Sequence, residues 1–284
     1  MHLRINRLCP VLGADATGLD ASCAIADSEF EQIRKALWDS DGVLVLRDQN
    51  LTPDQQIAFS RRFGELFGEA DPLQDSVAKY LLPGYPQIFR VSNKVVKGEP
   101  QGRSRAGNYW HSDVSFRKRP AMVSLLHAIE IPPIGGDTLF CSMYSAYEGL
   151  SEVMQQFLEP LDARHDFAVN TGVGFANETI EQQDLDEHNA AVHPVVRVHP
   201  ESGRKCLFVN PGNTSHLIGL HASESRLLPL ATMSGLMRPS SVGPAELKEL
   251  KFARPVLRTP PLTASRTEPT AMRFFAVAFW PTVL

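Results

Sequence analysis

Residues 108–138, with the sequence NYWHSDVSFRKRPAMVSLLHAIEIPPIGGDT, constrain the fold of this chain more than any other stretch. His111 and Asp113 are two residues apart, and side chains at positions i and i+2 of an extended strand lie on the same face. An imidazole and a carboxylate placed in this way can bind one metal ion. The apolar run that follows, residues 122–131, predicts a buried strand. The stretch therefore predicts a metal-binding pair near the mouth of a β core.

The chain contains a second His-x-acid match, His199 with Glu201. Ser202 and Gly203 follow it, and such a sequence is typical of a turn. The alternating segments on either side, residues 195–199 and 205–209, predict the two strands of a hairpin. We therefore interpret the second match as structural. The chemistry of the first match has to be judged from the sequence around it.

Helical patterns occur before and after the predicted strands. Residues 27–40 carry apolar positions at helical spacing. A second helix is predicted to start at Thr52, because Thr, Pro and Gln occupy the positions of a capping box there. A third is predicted to start at Ser151 and to end near residue 161. Short strands with helices outside them favour a mainly β fold with flanking helices, a sandwich or barrel.

Length and composition exclude several classes of protein. With 284 residues, 43% of them hydrophobic, the chain is long enough for one domain with a substantial core. The net charge of −4, from 28 basic and 32 acidic residues, argues against nucleic acid or an anionic membrane as a partner. No apolar run is long enough for a membrane helix, and the first residues lack a signal-peptide pattern. The sequence therefore predicts a cytoplasmic protein, and its four cysteines lack the C-x-x-C spacing of a zinc or redox site.

Four sequence blocks, in order along the chain, resemble the Fe(II)/2-oxoglutarate-dependent dioxygenases of the taurine and 2,4-dichlorophenoxyacetate dioxygenase family. An ordered set of blocks is far more specific than any one motif, and the resemblance extends to Leu220 through a further segment, NTSHLIGL. The blocks are GVLVLRDQNLTPDQQIAFSRRFGEL at 42–66, WHSDVSF at 110–116, PPIGGDTLFCSMYSAYEGLS at 132–151 and HPESGRKCLFVN at 199–210.

The resemblance implies a double-stranded β-helix, or jelly roll, and a non-haem Fe(II) site that uses 2-oxoglutarate and O2. Such sites bind iron through two histidines and one carboxylate on one face of the metal. His111 matches the first histidine of the family and Asp113 its carboxylate. Thr138, in the GGDT segment, matches the threonine that forms a hydrogen bond with the carboxylate of 2-oxoglutarate. The implied reaction is hydroxylation of a small organic acid.

The resemblance also suggests where the substrate binds. Asn108, Tyr109 and Val114 are close enough in sequence to the metal pair to contact a substrate, although packing is the alternative role for Tyr109 and Val114. The segments WHSD and FCSMYSAYEGLS are closer to the 2,4-dichlorophenoxyacetate branch than to the taurine branch. An aryloxyalkanoate-like acid is therefore the favoured substrate class and a sulfonate is the alternative. The oligomeric state stays open, and a homo-oligomer is compatible with the sequence.

The resemblance ends before the C-terminus. Family members carry there an aromatic-Asp-Asn-Arg segment, the second iron-binding histidine, and an arginine that pairs with the far carboxylate of 2-oxoglutarate. No histidine follows His221 in this chain, and eight of its prolines lie between Pro229 and Pro281. Proline is unfavourable in central strands. We therefore predict a family-like domain at residues 1–226, a divergent proline-rich tail at 227–284, and a jelly roll that is incomplete at its C-terminal side.

Three expectations follow from this departure. The stretch RFFAVAFW, at 273–280, is the only strand-like segment of the tail. A shift of reading frame near residues 226–229 explains the loss of the family pattern more economically than replacement of the second ligand by His216 or His221. A chain without that ligand is expected to bind iron weakly and to turn over little substrate. The alternative is a non-catalytic, cupin-like protein that binds a metal or another ligand.

Overall fold

The structure is a computed structural model that describes residues 2–66, 78–104, 109–130, 138–169, 189–221 and 223–225, together with the backbone of two strands near the C-terminus. The described residues form mainly strands, with few helices. The helices are α1 (Asp27–Asp39), α2 (Pro53–Ser60), α3 (Met143–Glu148) and α4 (Glu152–Leu158), with 3-10 turns at Arg61–Phe63 and Phe167–Val169. The strands are β1 (Arg4–Arg7), β2 (Ala14–Thr17), β3 (Val43–Arg47), β4 (Leu81–Leu82), β5 (Tyr85–Phe89), β6 (Val95–Val96), β7 (Glu99–Pro100), β8 (Val123–Ala128), β9 (Cys141–Ser142), β10 (Asp162–Asp166), β11 (Ala190–Pro194), β12 (Val196–Val198), β13 (Lys205–Leu207), β14 (Thr214–Leu217), β15 (Phe274–Phe279) and β16 (Thr282–Val283).

The largest sheet contains five strands in the order β1-β2-β3-β15-β8. Strands β2 and β3 are parallel, and the other neighbours are antiparallel. In the centre, Ala276 of β15 lies opposite Val45 of β3 on one side and Leu126 of β8 on the other. The strand-like stretch predicted in the tail is therefore a strand. Pro269 and Pro281 lie outside it, as expected for a residue without a backbone N–H to donate.

A second sheet and a hairpin lie beside the metal-binding stretch. Strands β11, β10 and β14 form an antiparallel sheet in that order, and β12 and β13 form the predicted hairpin. The main core joins these elements to α1, whose buried residues Phe30, Ile33 and Leu37 belong to the same apolar cluster as Leu44 and Leu46 of β3. The turn that carries the metal-binding pair is therefore attached to a packed β core.

Local sequence signals gave the correct starts of two helices. Thr52 and Gln55 form a reciprocal capping box at the start of α2. Ser151 caps α4 by accepting a hydrogen bond from the Met154 N–H, and the helix ends at Leu158 rather than near residue 161. In the part of the chain that the structure describes, no helix combines the length and the apolar character needed to cross a membrane.

Candidate metal centre

His111 and Asp113 do not lie in the extended strand that the sequence predicted, because His111 is in irregular backbone and a turn begins at Asp113. The reason is Val114, whose φ of 47° takes the backbone into the left-handed region directly after Asp113. This conformation is costly for a β-branched residue and cannot occur in a strand. The turn nevertheless brings the His111 Nε2 atom within 3.3 Å of the Asp113 Oδ1 atom. The predicted pairing is therefore present, although a turn produces it.

The orientation of His111 is set by its neighbours. Its Nδ1 atom is 2.9 Å from the carbonyl oxygen of Tyr109, which can only accept a hydrogen bond, so Nδ1 carries the proton. The other ring nitrogen, Nε2, faces Asp113. The Tyr109 ring lies 4.9 Å from the imidazole, and a Cβ atom at Gly212 would be 2.3 Å from that ring and 3.0 Å from the His111 Cβ. Only glycine leaves room for this arrangement.

The carboxylate of Asp113 is held from the opposite side. Its Oδ2 atom accepts a hydrogen bond of 2.6 Å from the Ser124 hydroxyl of β8, which leaves Oδ1 facing His111. Two ligand atoms about 2.1 Å from a metal ion and at adjacent coordination positions are roughly 3 Å apart. The observed 3.3 Å between His111 and Asp113 is close to that spacing. The pair therefore fits a divalent cation as two of its ligands.

A buried polar network holds the turn that contains Asp113. The Ser115 hydroxyl, which is fully buried, lies 3.1 Å from the His165 Nδ1 atom and accepts a hydrogen bond of 3.2 Å from the Asn210 side chain. The Asn210 Oδ1 atom accepts from the Asn213 N–H, and the Asn213 side chain donates to the Ser112 carbonyl oxygen. Through these contacts the loop after β13 fixes both sides of Asp113.

Three other histidines, His165, His193 and His199, are core residues, and of these the sequence drew attention only to His199, as part of a turn. Burial lowers the pKa of His165 to about 3, with a smaller contribution from the neighbouring His193, and burial lowers the pKa of His199 to about 4. The His165 ring stacks on Phe208 at 5.2 Å and packs edge-on against His193 at 5.4 Å. These histidines are neutral at physiological pH. Among the described residues, no group of three His, Cys, Asp or Glu side chains is arranged to hold a metal ion.

Thr138 has an unsatisfied hydroxyl. The residue is 5% exposed, and its Oγ1 atom is buried without a hydrogen-bond partner in the described part of the chain. A buried hydroxyl left in this state is unfavourable, and a bound ligand with a polar group would satisfy it. The sequence assigned Thr138 to the 2-oxoglutarate carboxylate, and that role stays a prediction.

The expected substrate residues have packing contacts. Tyr109 packs on His111 and Gly212 as described, and Val114 contacts the pair of buried rings Phe116 and Phe167. The packing alternative given for both residues therefore has direct contacts to support it, and their contact with a substrate stays a prediction. Asn108 lies outside the described residues.

The two histidines considered as replacement ligands are both exposed. His216 lies 3.0 Å from the Ser215 hydroxyl, and His221 lies 2.8 Å from the Ser223 hydroxyl. Neither completes a three-ligand group with His111 and Asp113 among the described residues. The residues that support the pair carry only weak sequence signals: Ser124 is a hydroxyl within an apolar strand, and residues 210–213 read NPGN.

Comparison with known proteins identifies related sequences and structures. A family model described as "Taurine catabolism dioxygenase TauD, TfdA family" matches residues 4–229. An alpha-ketoglutarate-dependent 2,4-dichlorophenoxyacetate dioxygenase of Cupriavidus pinatubonensis is 35% identical over 235 residues, which cover 80% of this chain and 80% of that protein. An alpha-ketoglutarate-dependent sulfonate dioxygenase of Saccharomyces cerevisiae is 27% identical over 235 residues, covering 80% of this chain and 54% of the yeast protein. The crystal structure of a taurine dioxygenase from Burkholderia xenovorans superposes with a TM-score of 0.70 at 26% identity, covering 99% of this chain and 81% of that one.

Proposed function

The chain belongs to the taurine catabolism dioxygenase TauD, TfdA family, and from this premise we propose that its iron site is a partial one, in which His111 and Asp113 bind Fe(II) without the second histidine of the family. The family consists of non-haem dioxygenases, so the cofactors of the site are Fe(II) and the co-substrate 2-oxoglutarate. We propose further that the family-like domain spans residues 1–226 with a jelly-roll core, and that the polypeptide turns over little or no substrate.

The observation that carries this proposal is the end of the family match. The match stops at residue 229, where the proline-rich tail begins, and no histidine follows His221. The distal histidine and the arginine of the family site belong to the part that does not match. Losing only an outer-shell partner of a metal ligand typically costs 10- to 100-fold in metal affinity. Losing a ligand itself should cost more.

The remaining residues have defined roles in this proposal. His111 binds the ion through Nε2, Asp113 binds it through Oδ1, and the Thr138 hydroxyl forms a hydrogen bond with a carboxylate of the co-substrate. When bound, Fe(II) and 2-oxoglutarate activate O2 for hydroxylation of a substrate C–H bond. Without the family arginine, the far carboxylate of 2-oxoglutarate enters its pocket without a charge partner, at a cost on the order of several kcal/mol.

For the family site in its intact form, we propose an aryloxyalkanoate-like acid as the substrate. The higher identity to the 2,4-dichlorophenoxyacetate dioxygenase than to the yeast sulfonate dioxygenase supports this class. Succinate formation across a panel of aryloxyalkanoates and sulfonates, measured on a chain whose C-terminal family segment has been restored, tests it. Preference for a sulfonate would reverse the assignment.

An anaerobic titration of the full chain with Fe(II) and 2-oxoglutarate tests the partial site. The visible metal-to-ligand absorption band is expected to be weak, and His111→Ala is expected to abolish what remains. A strong band that needs His111 would show that a third ligand is present, and His216→Ala would be the first variant to examine. Metal uptake that depends on His111, without oxoglutarate-dependent O2 consumption, would favour the non-catalytic, cupin-like alternative.

The coding DNA gives an independent test. Read in its other two frames after the codon for Arg226, it is expected to encode an aromatic-Asp-Asn-Arg segment followed by a histidine and an arginine. A chain with residues 227–284 replaced by that reading should gain the strong absorption band and form succinate. Absence of the pattern from both frames would remove the frame shift as the explanation of the tail.

A further inference from the structure

We propose that Ser124 is a positioning residue of the metal centre, which holds Asp113 so that one carboxylate oxygen points at His111. This inference rests on the proposed function, because it concerns the same two-ligand site. Neither the family match nor the sequence motifs assign a role to Ser124. The residue is one of the polar positions within the apolar run that forms β8.

The contact between the two side chains is short and specific. The Ser124 Oγ atom donates to the Asp113 Oδ2 atom at 2.6 Å, within the range of a hydroxyl bonded to an ionised carboxylate. A carboxylate that binds a metal through one oxygen is free to rotate unless the other oxygen is held. The Ser124 hydroxyl holds Oδ2, and the other oxygen is the one that lies 3.3 Å from the His111 Nε2 atom.

The backbone around Ser124 is fixed, whereas the backbone around Asp113 is strained. Ser124 lies within β8 and pairs with Ala278 of β15, so its position is set by the largest sheet. Asp113 precedes Val114, which holds an unfavourable left-handed conformation. The hydrogen bond from Ser124 therefore fixes the position of the Asp113 carboxylate relative to the sheet, which the strained turn alone does not do.

The test uses Co(II) as the metal probe and the full chain as the protein. Ser124→Ala is expected to weaken Co(II) binding by about 10- to 100-fold, the usual effect of losing the partner of a metal ligand, and to change the visible Co(II) spectrum. Ser124→Thr keeps the hydroxyl and suits a strand, so it should restore binding and spectrum. Ser215→Ala is the matched control, because Ser215 is also a partly buried strand serine, bonded to the Arg164 carbonyl oxygen.

A double-mutant cycle separates positioning from folding. In an Asp113→Ala background, Ser124→Ala should cause no further loss of Co(II) affinity, because the side chain that it positions is gone. Equal Co(II) affinity of the wild type and Ser124→Ala, an additive loss in the cycle, or failure of Ser124→Thr to restore binding would each overturn the inference. Thermal unfolding of each variant is measured in parallel, and a loss of affinity that only follows a loss of folded protein also counts against it.

The same titrations distinguish this inference from the proposed function. Co(II) binding that does not change in His111→Ala, or no binding by the wild type at millimolar Co(II), overturns the two-ligand site and the role of Ser124 with it. Binding that depends on His111 and is unchanged in Ser124→Ala overturns the role of Ser124 alone.

Discussion

His111 and His165 are both buried histidines next to aromatic rings, yet they have opposite chemistry. His111 directs its Nε2 atom at the partly exposed carboxylate of Asp113. His165 is enclosed by the rings of His193 and Phe208, and burial lowers its pKa to about 3. Ser115 and Asn210 connect the two regions. The comparison shows that burial among aromatic rings makes His165 a neutral core residue, whereas His111 has an acid partner with access to solvent.

The largest effect should come from acid, and it should act through the core histidines. The pKa of His165 is about 3 in the folded state against 6.5 as its ordinary value, so between these pH values the unfolded chain binds a proton that the folded chain does not. Stability should be complete above about pH 6.5 and fall as the pH drops toward 3, by on the order of 5 kcal/mol from His165 alone. Denaturant titrations at a series of pH values measure this slope.

The variant for the acid experiment is His165→Asn, which removes the titrating group with little change of size. The pH dependence of stability should become shallower, and the part that comes from His199, whose pKa is also lowered, should remain. An unchanged slope in His165→Asn would contradict this account.

The second effect should separate metal affinity from stability. His111→Ala removes the proposed ligand, whose partner Asp113 is 41% exposed and stays hydrated, so Co(II) affinity should fall by more than about 100-fold, while the free energy of unfolding should fall by less than in His165→Ala. His165→Ala leaves a cavity beside Phe208, so it should lower the free energy of unfolding by about 3 kcal/mol. Co(II) titration and denaturant unfolding of both variants give the two readouts. A large loss of stability in His111→Ala would contradict the separation.

The third effect should couple the two regions. Asn210→Ala removes the donor to Ser115 and the acceptor of the Asn213 N–H, and leaving buried polar groups unsatisfied costs about 1–3 kcal/mol. Because the network holds the turn with Asp113, both unfolding free energy and Co(II) affinity should decrease. Asn210→Asp keeps the acceptor oxygen and should retain more stability. A change in only one of the two measurements would mean that the regions are independent.

The smallest effect should come from the space beside His111. Gly212→Ala places a Cβ atom 2.3 Å from the Tyr109 ring, and the ring must move to make room. We expect a loss of about 1 kcal/mol in unfolding free energy, at the low end for overpacking, because a side chain can yield more easily than backbone. In a Tyr109→Ala background the same substitution should be nearly neutral. A full loss in that background would place the clash with the His111 Cβ atom instead.

Local sequence signals predicted the elements that are determined by interactions between residues close in sequence. The capping box at Thr52, the β12–β13 hairpin, and the strand-forming tail stretch around Ala276 are confirmed. The proximity of His111 to Asp113 is also confirmed, but the strand expected there is a turn. The left-handed conformation of Val114 could not be read from its side chain, which disfavours it.

The remaining features depend on contacts between distant parts of the chain. The hydrogen bond from Asn210 to Ser115 joins residues 95 positions apart, and nothing at either position signals the other. The strands that pair with β15 could not be predicted either, because an apolar strand fits several places in a sheet. Helix α3 was missed because it covers only Met143–Glu148, and so short a helix depends on tertiary packing.

The central position of β15 has a consequence for biosynthesis. During translation, β3 and β8 emerge long before the strand that lies between them, so each exposes an unpaired edge to solvent or to a chaperone while the chain grows. The edge of β3 carries the sequence VLVL, and an exposed apolar edge of this kind recruits other nascent chains. Any alteration after residue 226, whether a mutation or a change of frame, therefore determines not only the chemistry of the protein but also how much of it a cell recovers in soluble form.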